Sequence, residues 1–442
     1  MDNLKKQSWV QYDDGYLSKT PVWQYILVSL IFPMWGMAAS LNDILITQFK
    51  TVFTLSDTAT AFVQSAFYGG YFLIALPASY IIRKNTYKTA IMTGLTFFII
   101  GCALFFPASH MATYGMFLAA IFVIAIGLSF LETSCDTYST MMGPREFANR
   151  RINISQTLIP FGDAMGIILG KYLIFSGHSN LQNESAGLNA AQKMALNKEV
   201  LALTLRPYKY ILFVLLILLV LVAITKMPYG KAKADAKTAN QPSMGESLNY
   251  LFHNWRFMKA VGAQFLYVGI QTCVWSFTIR LALRIVPGIS DHAATNYMII
   301  SYMIWFVGKL FANWFMNRYS ITKTMIWYCV LGTIVLLLTC SIHSPLAIWG
   351  AVATSFFFGP VYPTVYAHGL DQIEEKQHTE TGGALMVMSL VGGAALPVIM
   401  GRVSDLTGSM QFSFIVPAIG FVLILWFFLS EHKIAKKEAQ KA

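Results

Sequence analysis

The sequence predicts an all-α membrane protein, with twelve transmembrane helices in two pseudo-symmetric six-helix bundles. Three observations predict it. Only 12% of the residues are charged, against about 25% in a soluble domain, so most of the chain lacks the surface that water requires. Apolar runs long enough to cross a bilayer, which takes about 20 helical residues, recur twelve times. Lysine and arginine gather in alternate loops between those runs, the pattern of a chain threaded back and forth across a membrane.

The first six runs are 22–46, 58–82, 88–106, 112–142, 152–175 and 208–225. The last six are 257–283, 293–316, 323–342, 346–370, 382–402 and 411–429. Several exceed one span, which implies tilt or extension beyond the hydrocarbon. Residues 1–20 are polar and form no signal peptide, and the first apolar run is too long for the core of one. The five cysteines, Cys102, Cys135, Cys273, Cys329 and Cys340, all fall in apolar segments without metal spacing. They are expected to be reduced and structural.

Charge placement gives the topology. A net charge of +11 could suit nucleic acid, but here it sits in short loops and tails. Arg83, Lys84 and Lys88 occupy one loop, Arg145, Arg150 and Arg151 the next of the same side, then Lys226 to Lys237, then Arg318 and Lys323. With twelve spans these loops and both tails share the cytoplasmic side. The expected organisation is a tail over 1–20, a bundle over 21–227, a flexible linker over 228–255, a bundle over 256–430 and a tail over 431–442. The polar loop 176–205 falls outside. Its Asn183-Glu184-Ser185 sequon reads as a chance tripeptide unless the source is eukaryotic.

The halves echo each other. Arg83, Lys88, Thr89 and Ile91 match Arg318, Lys323, Thr324 and Ile326 at a constant offset, each set between the second and third helix of its half. Internal repeats of this kind build transporters. The eight histidines are scattered, and no nucleotide loop or nucleophile motif occurs. That argues against an intramembrane enzyme and an ATP-driven pump.

The chemistry gathers in a few apolar helices. A charge at the centre of a membrane helix costs about 3 kcal/mol on insertion scales, so such residues face a bundle interior or a wet cavity. Glu132 and Asp136 lie one turn apart on one helix face, and Asp43 lies in the first run. A desolvated carboxylate holds a proton more readily, which suits ion coupling; the alternative is a structural ion pair with Arg280 or Lys309. Asp136 is equally a polar residue near the cytoplasmic opening or a third acid in the cavity. Trp35, Tyr71, Tyr267, Trp275, Trp305 and Tyr362 are candidate stacking surfaces for a bound ligand. Gly162, Gly166 and Gly170 recur every four residues, a spacing that lets helices approach closely, as at a sliding contact between halves. Pro77, Pro160, Pro363 and Pro397 are expected to kink their helices.

Six helices, a basic linker and six helices resemble the major facilitator superfamily. Closer matches resemble its fucose–proton symporter branch. They are Leu41-Asn42-Asp43-Ile44-Leu45, then Gln64 through Phe72, then Leu131-Glu132-Thr133 with Gly143-Pro144, and Gln156-Thr157 with Phe161-Gly162. In the second half they are Ala263-Gln264-Phe265, Tyr267-Val268-Gly269, Gln271-Thr272, Trp275-Ser276, Ile279-Arg280, Asn296-Tyr297 and Tyr362-Pro363-Thr364.

The resemblance implies a proton-coupled sugar importer of the bacterial inner membrane, with no cofactor beyond the coupling ion and no enzymatic activity. It implies that Asp43 and Glu132 are the proton-linked pair and that Asn42, Gln156 and Tyr362 lie by the sugar. Gln64, Tyr71, Asp136, Gln264, Gln271, Trp275 and Asn296 are further candidates for substrate contact, and Arg83, Arg318, Gly162 and Gly166 for gating or structure. The expected partners are a small sugar and the bilayer, with no nucleic acid, and the chain is expected to be a monomer.

The sequence departs from the branch around the pocket. Asp136 stands for an Asn, Ile159 for a sugar-binding Asn with Pro160 after it, Asp163 for a small apolar residue and Lys309 for an Arg. These changes put fucose itself in question. Coupling by sodium, a passive facilitator and a transporter-like sensor are the competing readings. Buried acids speak against the facilitator, and a sensor would call for a soluble signalling domain. For topology, Asn183→Cys and Lys237→Cys should react with an impermeant thiol reagent from opposite sides of the membrane. Labelling of both from one side removes the twelve-helix arrangement.

Overall fold

The computed structural model describes residues 9–53, 57–111, 113–173, 189–232, 242–289, 291–342 and 344–439. The Asn183 sequon, Lys237 and the side chains of Asp43 and Gln64 lie outside the described residues. Among those described, eleven helical stretches are long and apolar enough to cross a membrane. The expected span 58–82 falls on the Asp57–Lys84 helix, which has 28 residues; the side chains of 57–65 lie outside the described residues.

Several spans are built from two helices, and proline explains where they part. Proline has no N–H, so it leaves the carbonyl four residues earlier without its helical partner and crowds it sterically. The Val22–Ser29 helix ends four residues before Pro33, and the Phe32–Val52 helix follows. The Ala148–Gln156 helix ends four residues before Pro160, and Ile159–Leu173 follows. Gly359, between Leu346–Phe358 and Val361–Asp371, stands four residues before Pro363. Pro397 lies in Gly392–Thr407, after the 3-10 turn Ser389–Val391 that separates it from Thr379–Met388. Pro77 lies inside the Asp57–Lys84 helix, which runs on past it.

The chain forms two compact units, residues 1–145 with 161–233, and 146–160 with 234–442. In the first, Tyr87–Met111 and Tyr114–Met141 pack along their length, and Asp57–Lys84 covers the second of them. The start of the linker is strapped to this unit. Lys231 is buried, and its ammonium donates to the carbonyls of Ile82, Arg83 and Asn85, each at 2.9 Å. A cation there caps the C-terminal end of the Asp57–Lys84 helix, where unpaired carbonyls concentrate negative charge. The Gln11 amide bonds the Lys231 carbonyl at 2.8 Å and the Gly230 N–H at 3.1 Å. The Tyr138 hydroxyl donates to the Pro228 carbonyl at 2.5 Å.

In the second unit the 31-residue Trp255–Ile285 helix packs on Gly392–Thr407 and on Ile415–Ala439. Glu431 is buried there and holds the Lys259 ammonium at 2.6 Å, His368 at 3.2 Å and Arg256 at 3.4 Å. Part of the expected flexible linker is instead the Met244–His253 helix, closed by a Ser243/Glu246 capping box. It is pinned by a 2.9 Å bond between Ser247 and His378 and by Tyr250 stacked on that imidazole. The repeat seen in sequence has matching structure. A 28-residue helix ending at Arg83-Lys84 or at Arg318 precedes Tyr87–Met111 or Ile321–Ser341.

The glycine ladder packs inside the first unit. A Cβ on Gly162 would fall on the Pro33 carbonyl oxygen, and one on Gly166 on the Ser40 hydroxyl. Gly69 has nothing within 4 Å of an added Cβ. Gly162→Val should therefore lower the thermal midpoint in detergent, with an overpacking cost of about 1–3 kcal/mol or more. Gly69→Ala should leave the midpoint unchanged, and equal melting of the two variants would contradict this packing.

Candidate functional site

Each unit gathers buried polar groups that a folded core alone would not call for. In the first, the Tyr114–Met141 helix changes from mostly apolar to mostly polar midway. Glu132, Thr133, Ser134, Asp136, Thr137, Ser139 and Thr140 are all buried. Small hydroxyls there satisfy themselves on the preceding turn, as Ser134 does on the Phe130 carbonyl at 2.6 Å and Thr137 on Thr133 at 3.1 Å. The carboxylates instead reach neighbouring side chains. The Tyr71 hydroxyl bonds Glu132, and Asp136 is near enough to act on the same phenol. The Tyr71 backbone is fixed in turn, its carbonyl accepting from Ser129 at 3.1 Å.

Asn42 is buried on the Phe32–Val52 helix, beside a small pocket also lined by Ala38, Phe67 and Ile124. Its Oδ1 has no hydrogen-bond partner, and neither has Trp35 Nε1 or Thr133 Oγ1. Leaving a buried polar atom unmatched costs about 1–3 kcal/mol, which makes these three atoms candidates for contact with another polar molecule.

The second unit offers amides and aromatic faces. Gln264 is fully buried with both amide atoms unpartnered, and Gln271 Nε2 and Ser301 Oγ are unpartnered too. Trp275 meets Tyr302 and Trp305 edge-on, at 4.8 and 5.0 Å between ring centres, and its indole donates to Ser355 at 3.1 Å. Tyr267 bonds the Phe358 carbonyl at 3.1 Å and lies 6.2 Å from Tyr362. Gln156 is buried at the end of Ala148–Gln156. The Lys309 ammonium donates to the Gln156 carbonyl at 2.7 Å and lies 4.4 Å from the centre of the Trp305 ring. Asn313 donates to Thr157 at 3.1 Å, and Asn153 reaches Thr364 at 3.4 Å.

Among the residues read from sequence, Asn42, Tyr71, Glu132 and Asp136 are buried in the first unit, and Gln156, Gln264 and Tyr362 in the second. Gln271 and Trp275 are half-buried. Asn296 is exposed near the start of the Asp291–Arg318 helix and joins no polar cluster described here. Arg83 is buried, whereas Arg318 is exposed with its guanidinium 5.7 Å from the Trp314 ring centre. Arg280 is exposed and lies over Phe277 at 5.0 Å. Asp163 is buried in the first unit. Ser301, Ser355 and Asn313 were missed. Only Asn313 left a signal, four residues after Lys309 and so on its helix face.

These features define a polytopic membrane protein with polar sites inside both of its units. The model of the Major Facilitator Superfamily matches residues 23–368 and 288–442, and the chain belongs to that family. It is 32% identical over 429 residues to the L-fucose-proton symporter of Escherichia coli, covering 96% of this chain and 97% of that protein. It is 30% identical to the glucose/galactose transporter of Brucella abortus, over 90% of this chain and 92% of that one. The crystal structure of the E. coli fucose:proton symporter superposes with a TM-score of 0.83 at 32% identity, covering 91% of this chain and 97% of its own.

Gln264 separates a site from a core. Gln264→Met removes two unmatched polar atoms, so the unliganded protein should melt at the same temperature or higher, by the equivalent of about 1 kcal/mol. Stabilisation by a bound sugar should disappear. A lowered midpoint without ligand would make Gln264 a structural residue.

Proposed function

We propose that this chain imports a sugar together with a proton, by secondary active transport across the bacterial inner membrane. The observation that carries the reading is the buried Glu132 carboxylate bonded to Tyr71 with Asp136 one turn away. The relatives named above as sugar transporters support it, since their likeness runs through nearly the whole chain. A carboxylate inside a membrane protein is costly while charged and cheap once protonated. Protonation of Glu132 and Asp43 would let the cavity close without burying charge, and substrate and proton would then move as one load. Alternating access in this family's fold rocks one bundle against the other about a central site. The two halves would divide at the linker, with both termini cytoplasmic and the monomer as the working unit.

The substrate is a hexose or hexose derivative related to fucose. Ile159 removes an amide from the expected pocket and Asp136 adds an acid, so the hydroxyl pattern recognised should differ. Aromatic faces such as Trp275 suit the C–H face of a sugar ring, and amides such as Gln264 suit its hydroxyls.

Uptake in proteoliposomes with an imposed proton gradient, over a panel of sugars, tests this. Asp43→Asn mimics a permanently neutral acid. It should keep counterflow exchange and lose gradient-driven accumulation. Glu132→Gln should lose accumulation and also bind sugar more weakly. If Asp43→Asn concentrates sugar as the parent does, the proton is carried elsewhere. If a sodium gradient drives uptake and a proton gradient does not, the coupling ion is sodium.

A further inference from the structure

Pro160 creates a defect that a distant lysine repairs. In an unbroken helix the Gln156 carbonyl would accept the N–H of residue 160, and proline has none. The helix stops at Gln156 and resumes at Ile159. The Lys309 ammonium occupies the vacated position, 2.7 Å from the Gln156 carbonyl oxygen. Lys309 is buried on the Asp291–Arg318 helix, and its charge is held over the Trp305 indole face at 4.4 Å. Cation–aromatic attraction strengthens when water is excluded. Four residues on, Asn313 holds the next residue, Thr157, at 3.1 Å. Thr157 in turn donates to the Asn153 carbonyl at 2.7 Å, closing the last turn of the broken helix.

We propose that Lys309 is a positioning residue for substrate: by standing in for the missing N–H of Pro160, it fixes the helix end that carries the Gln156 amide. The proposal rests on the reading of Gln156 as a sugar contact. Pro160 and Lys309 then form one unit, because the proline makes the carbonyl available and the lysine makes the break tolerable inside the membrane. An ammonium offers three donors on a flexible stem, which suits a single carbonyl beside an aromatic ring. Arginine could still donate and stack, whereas methionine fills the space and donates nothing.

The test has one arm that needs no sugar. Gln156→Cys keeps the backbone carbonyl, and its reaction with a membrane-permeant maleimide reports exposure of the helix end, with the five native cysteines as baseline. Lys309→Met should speed that reaction about tenfold, the effect of losing one charge-assisted bond, and Lys309→Arg should restore the slow rate. In the transport arm, Lys309→Met should raise KM about tenfold with little change in maximal rate. In a Gln156→Ala background the same substitution should move KM less than about twofold. Should Lys309→Met not fold, Lys309→Gln, which removes the charge and keeps a polar head, serves both arms.

Unchanged labelling overturns the clamp. Faster labelling with an unchanged KM overturns the positioning role, and so does a KM effect that persists in full without the Gln156 side chain. Absence of saturable sugar uptake by the parent protein overturns the transport reading, while the labelling arm still decides the clamp.

Discussion

A peptide carbonyl that loses its helical N–H inside a bilayer has no water to turn to. Much of this structure follows from that constraint. Prolines 33, 160 and 363 each free a carbonyl in an apolar segment, and each sits where one span becomes two helices. The breaks coincide with candidate site residues: Trp35 follows one, Gln156 ends the helix at another, and Tyr362 lies in the first turn after a third. A straight helix presents its side chains in fixed register. A broken one can turn an amide or an aromatic ring out of that register, and it must then find partners for the carbonyls it frees.

The two units solve the problem of burying polarity differently. The first uses acids, with hydroxyl groups arranged around Glu132 and Asp136. The second uses amides and indoles, with Gln264 left unmatched while Trp275 is anchored to Ser355. Carboxylates can change protonation state, and amides and aromatic faces cannot.

Much of this was legible in sequence. Apolar runs gave the spans, because a bilayer permits little else at that length, and intramembrane acids gave Glu132 and Asp136. The paired Arg and Lys motifs gave the repeat, which reappears as two matching helix pairs. Other features were hidden for physical reasons. The prolines suggested kinks, but nothing in the sequence alone separates Pro160, where the helix parts, from Pro77, which its helix runs through. The Met244–His253 helix was lost in a polar linker, because its stability comes from a capping box and contacts with a segment more than a hundred residues later. Lys309 was read as a substitution and as a possible ion-pair partner of the buried acids; the Gln156 carbonyl it holds is a backbone atom, which carries no side-chain signature.

The Glu431 cluster has a consequence in time. Lys259 lies in the first long helix of the second unit, and the carboxylate that neutralises it comes 172 residues later. At a synthesis rate of about 5–20 residues per second, the lysine waits roughly 9 to 34 s after entering the membrane before its counterion exists. Until then the helix must let that side chain reach toward the lipid headgroups, as long basic chains do. The second unit therefore cannot settle helix by helix as it is made. Its first helix is held provisionally, and its final seating waits on Glu431.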